Sequence, residues 1–230
     1  MNSNNYNVLR VYRTKSQAKK SYDKISHLYD YFAGGFESNF RNMALEQLNI
    51  KSGETVLEIG FGTGHCLKEI AKSVGKTGMV YGVDISSGML EVTKKRLEKA
   101  GLIDRVELYC GDAAKMPFDD HKFDAVFTSF TLELFDTPEI PMILNEIKRV
   151  LKPEGRLGVV SMSRVDGKSL VFRFYEWAHK KIPNYADCRP IYLEQSIKEA
   201  GYEIKSINKV KVLGLPLEIV IGVNLPQTTN

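Results

Sequence analysis

Thr55-Val56-Leu57-Glu58-Ile59-Gly60-Phe61-Gly62-Thr63-Gly64-His65 is the stretch that decides how this chain is built. Its first five residues form a short, mostly apolar and partly β-branched run, which reads as a buried strand. Leu67, Ile70, Ala71 and Val74 then recur at helical spacing. Between strand and helix stand glycines 60, 62 and 64, whereas a plain strand-to-helix turn needs one glycine and rarely three. Removing side chains there lets backbone approach a ligand closely.

Outward from this loop the alternation continues. Met79–Val83 reads as a second strand, followed by a helix through Met89, Val92 and Leu97 that stops at Gly101. Val106–Tyr109, Phe123–Thr128 and Arg156–Ser161 are further strands, and Thr137-Pro138-Glu139 opens a helix ending at Lys148-Arg149. Strands alternating with helices predict a doubly wound α/β fold, Rossmann-like, with a parallel sheet covered on both faces. Glu203–Val212 and Leu217–Val223, joined by Gly214-Leu215-Pro216, suit an antiparallel pair at the sheet edge. Ala18, Tyr22, Ile25, Tyr29 and Phe32 predict a helix face over 15–32, and Leu170, Val171, Phe174, Trp177 and Ala178 predict another over 166–182.

The whole-chain properties narrow the class. At 230 residues the chain supports one sizeable core. No apolar run approaches the roughly 20 residues that span a bilayer, and the polar start MNSNNYNVLR does not read as a secretion signal, which places the protein in the cytoplasm. Net charge is +4, with lysines and arginines mixed among acids along helix faces, so no nucleic-acid partner is expected. Cys66, Cys110 and Cys188 form no C-x-x-C pair, and no metal site is expected. The first two sit in apolar surroundings and are read as buried, inert thiols.

The strand ends carry the chemistry. A glycine loop alone does not separate dinucleotide enzymes from other nucleotide binders. Here, however, His65 stands where the dinucleotide fingerprint wants its third glycine, and Glu58 places a carboxylate near the ligand. That charge repels a diphosphate and attracts the cationic amino end of S-adenosylmethionine. Asp84 closes the second strand, 20 residues beyond Gly64, and suits two ribose hydroxyls; a helix N-cap is the alternative. Gly111-Asp112-Ala113 ends the third strand, where Asp112 can accept from an adenine amino group while the Ala113 N–H donates to a ring nitrogen. At the end of the fourth strand, Thr128-Ser129-Phe130 can face the methionine portion.

VLEIGFGTG, GVDISSGML, GDAAKMPFDDHKFDAVF and LNEIKRVLKPEGRL, taken in order, resemble the class I S-adenosylmethionine-dependent methyltransferases. Within that class they are most similar to the branch containing the ubiquinone and menaquinone C-methyltransferases, over residues 20–163. The resemblance implies one methyltransferase domain with a seven-stranded, mostly parallel sheet and an antiparallel C-terminal edge strand. Its parts would be a helical cover over 1–50, a cofactor core over 51–163, a substrate-side helical insertion over 164–200 and edge strands over 201–230. It also implies S-adenosylmethionine held by Glu58, Gly60, Gly62, Gly64, Asp84, Asp112 and Ser129, with Ile85 and Met89 against the adenine. S-adenosylhomocysteine would be the product. Tyr22-Asp23 and Tyr29-Asp30 are similar to a paired signature whose aromatics cover the cofactor in this branch; plain helix-face packing explains the two tyrosines equally well.

After the fifth strand the resemblance stops mapping residue by residue. The acceptor expected is a small apolar or aromatic, quinol-like molecule, with room for a lipid tail and for peripheral contact of 166–182 with a membrane surface. A phospholipid headgroup or another small N, O or S acceptor stays open, as does a non-catalytic S-adenosylmethionine-binding protein. A nucleotide-binding oxidoreductase is disfavoured by Glu58 and His65. Glu133, His27, His179 and the tyrosines are the residues from which a base would be drawn, and none is assigned. Oligomeric state is not legible.

Overall fold

The computed structural model describes residues 10–11, 13–27, 29–164, 189–212 and 215–226, with side chains of 29–36, 212 and 215 outside that description. The expected amphipathic segment 166–182 therefore lies outside the described residues, as do His179 and Cys188.

A seven-stranded sheet forms the middle layer, in the order β3-β2-β1-β4-β5-β7-β6. Its strands are β1 (Thr55–Ile59), β2 (Met79–Asp84), β3 (Val106–Cys110), β4 (Phe123–Ser129), β5 (Leu151–Met162), β6 (Glu203–Val212) and β7 (Leu215–Val223). The first five run parallel, while β7 is antiparallel to both β5 and β6. The expected C-terminal hairpin is thus present. Its antiparallel strand, β7, lies one place in from the edge, between β5 and β6.

Helices cover both faces: α1 (Lys15–Ile25), α2 (Tyr29–Leu48), α3 (His65–Ser73), α4 (Ser87–Lys99), α5 (Glu139–Val150) and α6 (Leu193–Glu199). Ile140, Ile143, Leu144, Ile147 and Val150 turn one stripe of α5 onto the sheet, in a cluster that also takes in Leu193 and Ile197 of α6. On the other face, Ala44 and Leu48 of α2 pack with Leu67, Ile70 and Ala71 of α3 and with Met89 and Leu97 of α4. At about 25 cal/mol per Å2, each of the leucines, isoleucines, valines and methionines among them contributes roughly 1.5–3 kcal/mol on leaving water.

The single helix expected over 15–32 breaks after Ile25, where the Ser26 hydroxyl donates to the Asp23 carbonyl at 3.1 Å. The chain restarts as α2, which continues through Gly34 and Gly35. Two glycines cost about 2 kcal/mol of helix propensity, which the buried α2 face against β4, β5 and β7 offsets. Cys66 is buried as expected, but Cys110 is exposed. It ends β3, the outermost strand on that side, so no further strand covers it.

Candidate active site

The strand order reverses between β1 and β4, and in a doubly wound sheet the carboxyl ends on either side of such a reversal form a crevice. A cavity of about 400 Å3 lies there, within the roughly 300–1,000 Å3 of small-molecule sites. The ends of β1, β2, β3 and β4 all open into it, through Glu58 to Thr63, Asp84 and Ile85, Gly111 to Ala113, and Ser129 to Thr131.

Backbone needs shape the glycine loop. At Gly62 an added Cβ would meet nothing within 4 Å, so this position leaves open space in the cavity lining. Gly60 and Gly64 serve packing: a Cβ at Gly60 would run into the Thr131 side chain, and one at Gly64 would come within 2.5 Å of Thr93. Gly64 is the N-cap of α3 at φ +78° and is not among the residues lining the cavity. Thr93 Oγ1 in turn donates to the Gly62 carbonyl at 2.8 Å and locks the loop to α4. That bond explains why Thr93, and not the expected Val92, is the buried residue of that helix turn.

Asp84 accepts the Gly62 N–H through Oδ2 and the Ser86 N–H through Oδ1, both at 2.9 Å. The helix cap is Ser86, whose hydroxyl accepts from the Met89 N–H at 3.1 Å, so Asp84 is not the N-cap of α4. Burial raises the Asp84 carboxyl from the ordinary 3.8 to about 6, against the pull of its backbone donors. Glu58 is buried, and one of its oxygens, Oε2, has no hydrogen-bond partner. Burial pushes its carboxyl well above the usual range, with Arg41 lowering it and Asp84 raising it. A buried carboxylate oxygen without a donor costs free energy unless a ligand supplies one.

Tyr22 lines the cavity, with the Arg13 guanidinium 5.4 Å from its ring centroid; Tyr29 begins α2, and its side chain lies outside the description. Ile85, Met89, Asp112, Ala113 and Ser129 all line the cavity. Asp112 already has partners: Oδ1 accepts the Ala114 N–H at 3.0 Å, and Oδ2 meets Lys15 Nζ at 2.7 Å. Lys15 also reaches Glu139 at 2.7 Å, while Arg10 pairs with Asp136 at 2.5 Å, so Arg10 and Lys15 form a strap of ion pairs beside the cavity, whose lining includes Val11, Arg13, Thr14 and Lys15.

Those strap contacts were invisible in the sequence, being pairings across about a hundred residues. So were Glu37 and Arg41, both in the lining and joined by a 3.2 Å ion pair. Asp23 had a local signal in the Tyr22-Asp23 pair; it accepts from the Ser86 hydroxyl at 2.7 Å and the Gly88 N–H at 2.9 Å, docking α1 on the start of α4. Among the described candidate bases, Tyr22 lines the cavity, whereas His27 is exposed beyond α1 and Glu133 is buried beside the lining with Oε1 accepting the Met162 N–H at 3.1 Å. Phe130 sits at φ +51°, a strained conformation for an aromatic residue, at the start of the turn that lines the cavity.

Comparison with known families assigns this arrangement. The model of the ubiE/COQ5 methyltransferase family matches residues 2–210. The chain belongs to the ubiE/COQ5 methyltransferase family. It is a class I methyltransferase whose methyl donor is S-adenosylmethionine.

Among relatives of this family member, a demethylmenaquinone methyltransferase of Staphylococcus aureus (strain JH9) is 33% identical over 225 residues, covering 88% of each chain. Another of that name from Lactobacillus johnsonii is 32% identical over 165 residues, 72% of this chain and 65% of the relative. That second match spans slightly under two thirds of the relative's length. Solved structures share the fold. The [4+2]-cyclase SpnF superposes with a TM-score of 0.75 at 20% identity, covering 95% of this chain and 98% of the other. A SAM dependent methyltransferase from Aquifex aeolicus gives 0.61 at 24% identity, covering 93% and 100%.

The residues of this ubiE/COQ5 chain fit S-adenosylmethionine on their own chemistry. Glu58 offers an oxygen without a donor, and Gly62 and Gly111 each present backbone with no heavy atom within 4 Å of a would-be Cβ.

Proposed function

We propose that this enzyme transfers the methyl group to a small aromatic, quinol-like acceptor bearing an apolar tail. The observation that carries this reading is 33% identity, over 88% of both chains, to a protein named demethylmenaquinone methyltransferase. The lining supports it, because Phe130, Leu134 and Phe135 present apolar surface beside the end of β4.

Bound S-adenosylmethionine supplies an activated methyl on a sulfonium. Glu58 would take the ammonium of its methionine end, Asp84 the ribose hydroxyls, and Asp112 with the Ala113 N–H the adenine edge. Ile85, Met89 and Tyr22 would pack on the adenosine, and Gly62 and Ser129 would let backbone come close. The protein's work is then alignment of the acceptor opposite the sulfur and exclusion of water, to which the Arg10 and Lys15 ion pairs would contribute. Among the described residues no helix is long and apolar enough to cross a membrane.

Incubation of the protein with methyl-labelled S-adenosylmethionine and reduced demethylmenaquinone, beside its oxidised form and a panel of phenols, amines and phospholipids, tests the reading. Label on the reduced quinone supports it. Label confined to phospholipid, protein or RNA overturns it.

A further inference from the structure

The cavity's chemistry is asymmetric along the sheet. Asp84 and Asp112 stand at the ends of β2 and β3, while the β1 end carries Glu58 together with Glu37 and Arg41 from α2. Glu37 and Arg41 are one helical turn apart, so their side chains share a face of α2, and both are largely withdrawn from water at 16% and 13% exposure. Arg41 Nη1 donates to Glu37 Oε2 at 3.2 Å. A guanidinium carries five N–H donors in a planar fork, so one bond to Glu37 orients it without exhausting it. The same guanidinium stabilises the ionised form of Glu58 through space. This end therefore holds two carboxyls against one fixed cation, and one carboxyl oxygen, Glu58 Oε2, has no donor.

We infer that this trio is a receptor for a zwitterionic amino acid end. Arg41 takes the α-carboxylate of the cofactor's methionine portion with its fork. Glu58 Oε2 takes the neighbouring ammonium, and Glu37 is a positioning residue that aims Arg41. The assignment rests on the cofactor placement proposed above and adds what that placement lacked: a partner for the negative half of the zwitterion. A carboxylate brought into a half-buried site beside two acidic side chains is repelled unless a cation meets it. Arg41 meets that need from a rigid helix, in the bidentate geometry that a lysine does not reproduce.

Calorimetric titration of the full chain with three probes tests this: S-adenosylhomocysteine, its analogue lacking the carboxylate, and 5′-methylthioadenosine, which lacks the whole amino acid end. The wild type is expected to bind S-adenosylhomocysteine tightest. Arg41→Met should weaken S-adenosylhomocysteine by about 10–100-fold, in keeping with loss of a charge-assisted bond. It should leave the carboxylate-free analogue and 5′-methylthioadenosine within about twofold on the same scale. Arg41→Lys should fall between. Equal loss for all three probes, or no loss for S-adenosylhomocysteine, overturns the assignment while leaving the cofactor site intact. Failure of the wild type to bind S-adenosylhomocysteine overturns the cofactor reading itself.

Discussion

Glu133 gives the sharpest physical prediction. It lies in the turn after β4, fully buried, with Oε1 held by the Met162 N–H and Oε2 without a partner. Burial raises its carboxyl from the ordinary 4.5 to about 7, against the pull of its backbone donors. A folded-state value above the unfolded one means that the native protein holds this proton more tightly. The contribution to stability is fully present below 4.5 and is lost as pH rises to about 7. The gap between those values corresponds to roughly 3 kcal/mol. Glu133→Gln keeps an oxygen for Met162 and removes the charge. It should therefore stabilise the protein at pH 8 by up to about 3 kcal/mol, or roughly 6–12 °C in melting temperature for a chain of this size. At pH 5, just above the unfolded value, the gain should shrink to about 1 kcal/mol. Urea unfolding followed by far-ultraviolet circular dichroism at both pH values is the assay. An equal effect at the two pH values, or destabilisation at pH 8, would refute the account of this residue.

Asp84 should make cofactor binding pH-dependent: its carboxyl titrates at about 6, and hydroxyls donate best to the ionised form. Affinity for S-adenosylhomocysteine should then drop up to about tenfold per pH unit below that point, and Asp84→Asn should bind weakly at every pH in the same titration. Gly64→Ala should cost about 2–3 kcal/mol of stability by denaturant unfolding, because its Cβ meets Thr93 in a left-handed conformation. Gly62→Ala, with open space beside it, should cost about 1–2 kcal/mol and weaken cofactor binding instead. Lys15→Met removes contacts to Asp112 and Glu139 that are 32–40% exposed. Melting should shift by no more than about 2–4 °C, the effect of roughly 1 kcal/mol, while stopped-flow release of S-adenosylhomocysteine should quicken.

The strands and the residues at their carboxyl ends were legible because each carries a local signal: an apolar run, then a glycine, an acid or a hydroxyl where the chain leaves the sheet. The nucleotide-binding half was therefore readable one strand at a time. The packing role of Gly64 was not legible, because its neighbour Thr93 is 29 positions away and nothing local marks a glycine needed for packing. Glu37 and Arg41 carry no local signal beyond their four-residue spacing. Only the packing of α2 on the sheet turns that pair toward the cavity. The Lys15–Asp112 and Arg10–Asp136 contacts depend on where α1 docks, and Asp23 fixes that by gripping the start of α4.

Methyl transfer itself is the central claim, and one reaction tests it most directly. The purified chain is mixed with S-adenosylmethionine labelled on its methyl group and a quinol acceptor of the kind proposed, and the products are resolved by mass spectrometry. The account predicts a labelled methyl on the quinol ring and an equal amount of S-adenosylhomocysteine. Tight binding of S-adenosylmethionine with an unlabelled quinol would contradict it.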